Sequence, residues 1–540
     1  MWRSLAALVL VPLVILVLLL SGCGLGSIVQ AGGGHGGGGG SSGDGGTVAG
    51  DGGLPLNPTP DAGEPAMEVP LTPTSGDSSG VKLDPNGDLV LDAEATTITL
   101  SYIWVANSPD NTVSKINTKT GVEEGRYRTG PGTSDPSRTT VGLTGDVVVA
   151  NRGGSSAVRI HADKATCPDK NGNGQIETST GPGNVLPWGQ DECVLWSHEF
   201  PAGALARAAA FDYSFGPDGE ASSSVWIGLY SLEKVVRLDS QTGAQLAEVS
   251  IPGHHPYGMA FDGNGNLWVQ GGNLVRIDTA TLQWESIAAP GCQYGITTDQ
   301  DGNVWLGGGA CVARYQPGPR TWTSLSVGTD NYGGIAADGA GSIWAAGRDY
   351  GAIRIDAATL VMRPGAPTAG GCKGMAVDFE HNIWCISQTA STAYRIDPNT
   401  LAVQGFPTGR NPYTYSDMTG FQLQNVAPPL GFYRPILKGC GPQQQWLQLV
   451  WDAVTGPGMF VRFRARTANS ETDLAARPWV SVARQPSDAS PADLKAILEA
   501  ATPGSSQATY LQLEITLGAE VSGTTPTLKS VSVRSTCPID

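Results

Sequence analysis

Residues 169–179, "DKNGNGQIETS", carry side-chain oxygens at the spacing of a calcium-binding loop. Such a loop binds through positions 1, 3, 5, 7 and 9, turns at a glycine in position 6, and ends on a bidentate glutamate at position 12. The matching ligands are Asp169, Asn171, Asn173, Gln175 through its carbonyl, and Glu177, with Gly174 at the turn. Thr180 stands at position 12 and cannot supply a carboxylate. Asp191 or Glu192 could replace it.

The loop lacks the two helices that a calcium sensor moves apart, since Pro168 precedes it and "TGPGNVLPWG" follows it. A disulfide between Cys167 and Cys193 would hold the ends of this insertion together and bring a carboxylate to the loop. We therefore predict a structural calcium ion, with an unoccupied polar turn as the alternative.

A second set of residues could bind an anion. Seven similar segments carry tyrosine, arginine or lysine at one aligned position: Arg138, Arg207, Tyr257, Tyr294, Tyr332, Lys373 and Tyr413. Tyrosine offers an apolar face and a hydroxyl, whereas arginine and lysine attract carboxylate or phosphate. The residue type varies between segments, which suits one asymmetric ligand such as an anionic peptide, a glycan or a cell-wall fragment. The alternative is that these side chains only fill a water-filled channel.

A tryptophan-centred repeat should position these residues. "IWVAN", "VVVAN", "VWIGL", "LWVQG", "VWLGG", "IWAAG" and "IWCIS" have their second residue at 104, 148, 226, 268, 305, 344 and 384. The period is therefore near 40 residues, with one doubled gap that contains the calcium-type loop. Short apolar strands at this period, with Asn-Gly and Asp-Gly turns, indicate the four-stranded blades of a β-propeller.

The third strand of each unit carries a base at one fixed place: Lys115, Arg159, Arg237, Arg276, Arg314, Arg354 and Arg395. A feature present in every unit favours maintenance of the blade over an anion-binding belt. We predict that these charges are solvated or paired with Asp239, Asp278, Asp356 or Asp397.

The two ends of the array should meet in one blade. Residues 411–421, "NPYTYSDMTGF", resemble an inner strand that no tryptophan segment follows, whereas the first such segment, 103–107, has no inner strand before it. Placing 411–421 beside 103–107 closes the ring and removes exposed sheet edges.

"PYGMAFDGNGNLWV", "QYGITTDQDGNVWL" and "CKGMAVDFEHNIWC" resemble the repeats of streptogramin (virginiamycin B) lyases and related NHL/YVTN-type propellers over roughly residues 100–425. The resemblance implies a metal-assisted elimination that opens a cyclic peptide lactone, with a histidine base and acidic metal ligands at the channel mouth. The aligned mouth position holds neither histidine nor acid. His254 and His255 could overhang the mouth, while His381 lies in a turn at the other end of its strand. The sequence therefore disfavours the lyase chemistry.

The N-terminal sequence has the pattern of a lipoprotein signal peptide. Arg3 and the apolar stretch from Leu5 to Leu20 precede Ser21-Gly22-Cys23, so residues 1–22 are a predicted signal peptide and Cys23 the lipidated residue. Gly24 after this cysteine favours the outer membrane where a cell has one. Residues 23–80 are Gly-rich and then Pro-rich, which predicts a tether.

The other eight cysteines suggest disulfide bonds in an exported protein. Pairing neighbours gives 167–193, 292–311, 372–385 and 440–537, that is Cys167, Cys193, Cys292, Cys311, Cys372, Cys385, Cys440 and Cys537. No CxxC spacing occurs among them, so zinc and redox functions are not indicated.

Residues 430–540 form a second predicted domain. Segments such as "TYLQLEITLG" and "LKSVSVRSTC" alternate apolar and polar residues at period two, which indicates an antiparallel β-sandwich, and 490–501 is its one plausible helix. Trp446, Trp451 and Trp479 could form a stacking platform, but core packing is the favoured use.

These observations predict an all-β protein: a seven-bladed β-propeller over residues 81–429, with an insertion at about 162–200, and a C-terminal antiparallel β-sandwich. The chain has 33 basic and 49 acidic residues, a net charge of −16, which argues against nucleic-acid binding. We predict a non-catalytic, lipid-anchored protein of the cell envelope that binds a ligand at the channel mouth. A lyase or hydrolase at the same mouth and a structural envelope scaffold are the alternatives.

Overall fold

The computed structural model describes residues 66–74, 77–92, 100–215, 221–328, 331–423, 430–519 and 525–536. The predicted signal peptide, Cys23 and the tether before residue 66 lie outside the described residues. Among the described residues, no helix has the length and apolar character that crossing a membrane would require.

Four short strands precede the repeat: β1 (Ala66–Glu68), β2 (Ser78–Ser79), β3 (Val81–Leu83) and β4 (Leu89–Leu91). In the described residues seven antiparallel sheets then follow one another along the chain. The first sheet has three strands: β5 (Tyr102–Asn107), β6 (Thr112–Asn117) and β7 (Glu123–Arg128).

The next three sheets have four strands each: β8 (Pro136–Val141), β9 (Val147–Asn151), β10 (Ser156–Ile160) and β11 (Val194–Glu199); β12 (Ala206–Phe215), β13 (Ala221–Leu229), β14 (Lys234–Asp239) and β15 (Gln245–Ser250); β16 (Gly258–Phe261), β17 (Asn266–Gly271), β18 (Asn273–Asp278) and β19 (Trp284–Ile287). The last three also have four: β20 (Gly295–Thr298), β21 (Val304–Gly308), β22 (Cys311–Gln316) and β23 (Thr321–Ser326); β24 (Asn331–Ala337), β25 (Ser342–Gly347), β26 (Gly351–Asp356) and β27 (Met362–Pro367); β28 (Gly374–Val377), β29 (Ile383–Ser387), β30 (Thr392–Ile396) and β31 (Val403–Pro407). The predicted all-β propeller class is confirmed.

The recurring tryptophans serve both packing and hydrogen bonding. Five of these indoles are buried and donate through Nε1–H to an aspartate in the first strand or in the turn after it: Trp226 to Asp212, Trp268 to Asp262, Trp305 to Asp299, Trp344 to Asp338 and Trp384 to Asp378, at 2.7–3.3 Å. A buried indole N–H needs such an acceptor, so the Asp-turn-Trp spacing of the repeat fixes the hairpin between the first two strands.

The bases on the third strands join neighbouring sheets. Five of them donate to the backbone carbonyl just after the third strand of the next sheet: Lys115 to Ala162, Arg159 to Ser240, Arg314 to Ala357, Arg354 to Pro398 and Arg395 to Thr118, at 2.5–2.9 Å. Arg237 and Arg276 instead donate to Ser224 and Asn266 of their own sheets.

These contacts correct the predicted partners of the bases. The carboxylates of Asp239, Asp278, Asp356 and Asp397 accept backbone N–H groups from the turn that follows each of them. The sequence analysis assigns these bases to maintenance of each blade; five of them in fact donate to carbonyl groups of the adjacent sheet, and two donate within their own sheet.

The ring closes where the sequence predicted. Tyr413 N–H donates to the Ala106 carbonyl at 2.9 Å, and Trp104 N–H donates to the Met418 carbonyl at 2.9 Å, so residues 413–418 lie beside β5. The Arg395 bond to Thr118 O, at 2.5 Å, also joins the seventh sheet to the first. These three hydrogen bonds connect residues that are distant in the chain, such as Arg395 and Thr118, which are 277 positions apart.

Three of the predicted disulfides are present: Cys167–Cys193, Cys292–Cys311 and Cys372–Cys385. The first closes the insertion between β10 and β11. The second and third each join the start of a sheet to its second hairpin. The fourth prediction, 440–537, involves Cys537, which lies outside the described residues.

The sandwich follows the repeat, with β32 (Leu430–Tyr433), β33 (Ile436–Lys438), β34 (Trp446–Val454), β35 (Met459–Ala468), β36 (Val480–Gln485), α1 (Leu494–Ala501), β37 (Tyr510–Ala519) and β38 (Thr527–Ser535). One sheet has the order β1-β38-β4-β3, with β34 also on β38, and the other has the order β2-β32-β37-β35-β36, with β33 on β37. The two sheets enclose one core that contains Leu89, Leu449, Phe463, Ile515 and Val533.

The domain boundaries therefore differ from the sequence analysis. The sequence predicts that this region belongs to the tether up to residue 80 and to the propeller from residue 81. In the structure, residues 66–91 supply four strands to the sandwich. Short strands such as β1 and β2 have too few residues to show an alternating pattern, so only their pairing with β38 and β32 reveals them. The sandwich is built from both sides of the propeller sequence.

The helix of this domain is shorter than the predicted segment 490–501, whereas two of its three tryptophans are buried as predicted. The helix begins at Leu494, because the Asp493 side chain accepts the Ala496 N–H, whereas Ser490 Oγ accepts Trp451 N–H. Trp446 and Trp451 are buried in the core, as favoured. Trp479 is half-buried, with the Arg466 guanidinium 4.3 Å from its ring centroid.

Candidate functional site

Equivalent backbone hydrogen bonds in four sheets place four of the predicted mouth residues at the same level. The backbone N–H groups of Tyr257, Tyr294, Lys373 and Tyr413 donate to Gln270, Gly307, Ile386 and Ala106, at 2.7–2.9 Å. Each acceptor lies two positions after the second residue of its tryptophan segment. Equivalent bonds in different sheets place the four side chains together at one end of the inner strands.

The side chains of these four residues form a continuous hydrogen-bonded chain. Lys373 Nζ donates to Tyr294 Oη at 2.5 Å, and Tyr413 Oη lies 2.8 Å from Tyr294 Oη and 2.9 Å from Tyr257 Oη. Tyr415 Oη is 3.4 Å from Tyr413 Oη. Four tyrosine hydroxyls and one ammonium group are therefore linked in one hydrogen-bonded group.

Three arginines surround this chain. The Arg138 guanidinium lies 3.0 Å from the Tyr415 ring centroid and donates through Nη2 to the Tyr257 carbonyl at 3.0 Å. Arg207 lies 4.4 Å from the Tyr257 ring, and Arg152 lies 4.7 Å from the Tyr413 ring. We call this set the tyrosine–cation cluster: Arg138, Arg152, Arg207, Tyr257, Tyr294, Lys373, Tyr413 and Tyr415.

The cluster has a buried base and a more open upper layer. Arg138, Lys373 and Tyr415 are 1%, 5% and 3% exposed. The other five members are half-buried. An incoming ligand could therefore reach the hydroxyls and guanidinium groups of the upper layer while the lower cations add to the positive potential.

Positive charge exceeds carboxylate charge in the cluster. Asp135 pairs with Arg152 at 2.6 Å. Within the described residues, neither Arg138 nor Arg207 forms an ion pair with a carboxylate, and the buried Nε of Arg138 has no hydrogen-bond partner. Such an arrangement favours binding of a negatively charged group.

The environment shifts the proton affinities of the cluster. Burial alone would raise the pKa of Tyr257, but the Arg138 guanidinium and hydrogen bonds from neighbouring tyrosines outweigh it and lower this pKa to about 7. Burial, together with the nearby arginines, lowers the pKa of Lys373 to about 8. Burial and the adjacent Tyr257 and Tyr413 raise the pKa of Tyr294.

The predicted set and the observed set differ at two positions. Ile335 pairs with Ala345 in the same way that Met259 pairs with Val269 in the equivalent hairpin. Tyr257 lies two residues before Met259, and the residue two before Ile335 is Gly333, so Gly333 and not Tyr332 occupies the level of Tyr257. A Cβ at Gly333, whose φ is +87°, would lie 2.2 Å from Tyr294 Cβ, so the packing requires glycine there. The Tyr332 side chain lies outside the described residues.

Arg138 also departs from the aligned level, since it faces Ala150 one step further along its strand, beyond a register irregularity. It still reaches Tyr257 and Tyr415. Sequence reasoning missed Tyr415 and Arg152. Tyr415 follows Tyr413 by two residues and shares its face of the strand, which is a usable signal, whereas nothing in the sequence indicates Arg152.

The three histidines do not enter the cluster. His255 stacks on Tyr230 at 4.8 Å, and its Nε2 lies 3.7 Å from Glu233, outside hydrogen-bond reach. His254 is buried against Trp284, and burial lowers its pKa. His381 packs on Phe421. The site is therefore a group of tyrosines, arginines and lysine, without a histidine–carboxylate pair among its described residues.

The calcium-type loop is a separate feature. Asp169 accepts the backbone N–H groups of Gly172 and Gly174, at 2.6 and 2.7 Å, and the amide groups of Asn171 and Asn173 both contact the Glu177 carboxylate. These backbone hydrogen bonds lower the pKa of Asp169. Gln175 N–H donates to Asn173 Oδ1 within the same turn.

Both Asp191 and Glu192 contact this loop. The Glu192 oxygens accept the backbone N–H groups of Lys170 and Glu177. Asp191 is buried and accepts from Thr178 and Ser179, at positions 10 and 11 of the loop, and from the Cys193 N–H. Among the described residues, no group of three or more His, Cys, Asp or Glu side chains has a metal-binding arrangement.

No protein-family model matches this sequence, and no curated protein matches it. Solved structures with a similar chain path include a streptogramin B lyase, with 14% identity, TM-score 0.40, and coverage of 59% of this chain and 93% of that chain. Virginiamycin B lyase from Staphylococcus aureus has 14% identity, TM-score 0.33, and coverage of 64% and 88%. Apo AztD from Citrobacter koseri has 11% identity, TM-score 0.39, and coverage of 58% and 96%. Similarities this distant do not indicate a function for this protein.

Proposed function

We propose that this protein is a lipid-anchored binding protein of the cell envelope whose tyrosine–cation cluster binds an anionic ligand. The observation that carries this proposal is the meeting of four tyrosine hydroxyls with Arg138, Arg207 and Lys373 at one end of the inner strands. The ligand is an anionic peptide, a glycan or a cell-wall fragment. The anchor is proposed from the Leu20-Ser21-Gly22-Cys23 sequence alone.

The chemistry of the cluster supports recognition of a carboxylate or phosphate beside a ring or a sugar. The half-buried guanidinium of Arg207 can donate to an oxyanion, and the flanking tyrosine rings can stack on a planar or cyclic group. A charge-assisted hydrogen bond contributes about 1.5–3 kcal/mol in such a setting. The histidines, which lie outside the cluster, supply no base for the lyase alternative.

Replacing Arg207 with glutamine is expected to weaken binding of sulfate and citrate by roughly 10- to 100-fold, which is the loss of one charge-assisted hydrogen bond. Isothermal titration calorimetry at low salt measures this change. Arg363→Gln is the matched control, because Arg363 is exposed and pairs with Asp356 far from the cluster. Equal affinities for the two variants, or no binding by the unaltered protein, would reject the proposal.

We also propose that loop 169–180 binds a structural calcium ion through Asp169, Asn171, Asn173, the Gln175 carbonyl and Glu177. The amide nitrogens of Asn171 and Asn173 donate to the Glu177 carboxylate, which brings these three oxygen-bearing side chains together in one turn. This supports the assignment, since amide and carboxylate oxygens are ligands that calcium prefers. Asp191 and Glu192 are the additional carboxylates that contact the loop.

Calcium removal is expected to destabilise this insertion. Because an ion that binds only the folded state stabilises it, EDTA should lower the Tm by several degrees, and added calcium should restore it. Asp169→Ala should lower the Tm in calcium and abolish the response to EDTA. An unchanged Tm in EDTA would show that the loop is an unoccupied polar turn.

A further inference from the structure

We infer that Tyr257 is the resident negative charge of the tyrosine–cation cluster, and that an anionic ligand binds by replacing this charge as Tyr257 takes up a proton. The inference rests on the proposed binding function and specifies how the same site recognises a carboxylate or a phosphate. Tyr257 therefore competes with the ligand for the positive charge of the cluster and does not act simply as a hydrogen-bond donor to the ligand.

The position of Tyr257 supports this role. Its hydroxyl lies 2.9 Å from Tyr413 Oη, which connects it through Tyr294 to the Lys373 ammonium group. Arg138 and Arg207 lie 5.1 and 4.4 Å from its ring centroid. The ring is therefore close to two guanidinium groups that form no ion pair with a carboxylate within the described part of the chain.

The elements packed on Tyr257 bring cations and tyrosines to it. β8 contributes Arg138, the turn after β9 contributes Arg152, β12 contributes Arg207, and the segment before β28 contributes Lys373. The tyrosines that face Tyr257 are Tyr230, Tyr294, Tyr413 and Tyr415, and His255 stacks behind Tyr230. The carboxylate of Asp135 is already paired with Arg152 at 2.6 Å. A phenolate can therefore supply the charge that offsets Arg138 and Arg207.

The direction of the proton linkage follows from the charges. The free protein holds the pKa of Tyr257 at about 7, so the phenolate dominates above neutral pH. A bound anion beside it disfavours the phenolate and raises this pKa, so binding above pH 7 takes up a proton. Affinity should then fall by up to tenfold for each pH unit above 7. Above pH 8 the loss of the Lys373 charge steepens the decrease.

A spectroscopic titration tests the free protein. Tyrosinate absorbs near 295 nm, so the absorbance should rise by the equivalent of about one tyrosine between pH 6 and pH 8.5. Tyr257→Phe should abolish this step, whereas Tyr350→Phe, a change at an exposed tyrosine, should keep it. Absence of the step in the unaltered protein overturns the inference.

A binding experiment tests the linkage itself. Calorimetry with sulfate or citrate at pH 8, in two buffers of different ionisation enthalpy, should show uptake of about one proton per anion. Tyr257→Phe should remove this uptake and bind up to about tenfold more tightly than the unaltered protein at pH 8, with little difference at pH 6.

The outcomes separate the two proposals. Weaker binding by Tyr257→Phe at both pH values would make Tyr257 a hydrogen-bond donor to the ligand and would overturn this inference only, as would binding without proton uptake. Failure of both anions to bind the unaltered protein at any pH would overturn the proposed function together with the inference.

Discussion

A chain that begins at residue 100 instead of residue 66 is expected to lose the folded C-terminal sandwich. Strand β1 pairs with β38 through Ala66–Arg534 and Met67–Val533, and β4 pairs with β38 through Leu89–Leu528. The edge of β38 that pairs with them would become exposed. Val69, Val81, Leu89 and Leu91, which are at most 9% exposed, would leave the core at the same time.

The expected effect is as large as the stability of a domain. Burial of one such side chain contributes about 1.5–3 kcal/mol, so four of them contribute roughly 6–12 kcal/mol. A whole domain is stable by only about 5–15 kcal/mol. The shortened chain should therefore lose near-UV circular dichroism from Trp446 and Trp451 and become sensitive to proteases after residue 430.

The matched control is a chain that begins at residue 66, which keeps all four strands. It should retain the spectrum and the protease resistance of the unaltered protein. If the chain that begins at residue 100 resists proteolysis equally well, residues 66–91 are not part of the sandwich core.

Replacing Trp384 with alanine is expected to reduce the free energy of unfolding by about 3–5 kcal/mol. Trp384 is fully buried between two sheets, where it packs with Ile103, Val105 and Phe406. Its indole also donates to Asp378 at 2.7 Å. The substitution leaves a cavity and removes a hydrogen bond from a buried carboxylate, and both effects destabilise the folded state.

Trp284→Ala provides the matched control for size and residue type. Trp284 is 37% exposed and lies on an outer strand, against His254. Its loss should change the free energy of unfolding by about 1 kcal/mol or less. Urea unfolding followed by circular dichroism measures both variants. Similar midpoints would show that the buried tryptophans do not hold the sheets together.

Much of the propeller could be predicted because its determinants are local. The Asp-turn-Trp spacing fixes a hairpin within about six residues, and the same pattern recurs near every 40 residues. Ring closure was also predictable, because one inner strand without a partner and one sheet without an inner strand can only complement each other. Pairing each cysteine with its neighbour in the sequence gave three correct disulfides, because each pair lies within one sheet or its insertion.

The candidate site was predictable only in part. Tyr257, Tyr294, Lys373 and Tyr413 share one hydrogen-bond register, so alignment of the repeats found them. Register irregularities before Ile335 and Arg138 shift the level of a side chain by one residue, and sequence letters do not show such irregularities. Arg152 enters the cluster from a turn whose position depends on the whole ring.

The sequence by itself determined the repeat, the tryptophan hairpins, the closure of the ring and the residue types at the mouth, because each depends on short spacings. Only the tertiary structure decided that five third-strand bases bond to carbonyls of the next sheet, that residues 66–91 complete the sandwich, and that the Tyr257 ring lies close to the guanidinium groups of Arg138 and Arg207. These features join residues from distant parts of the chain, and their distances and electrostatics exist only once the sheets have packed.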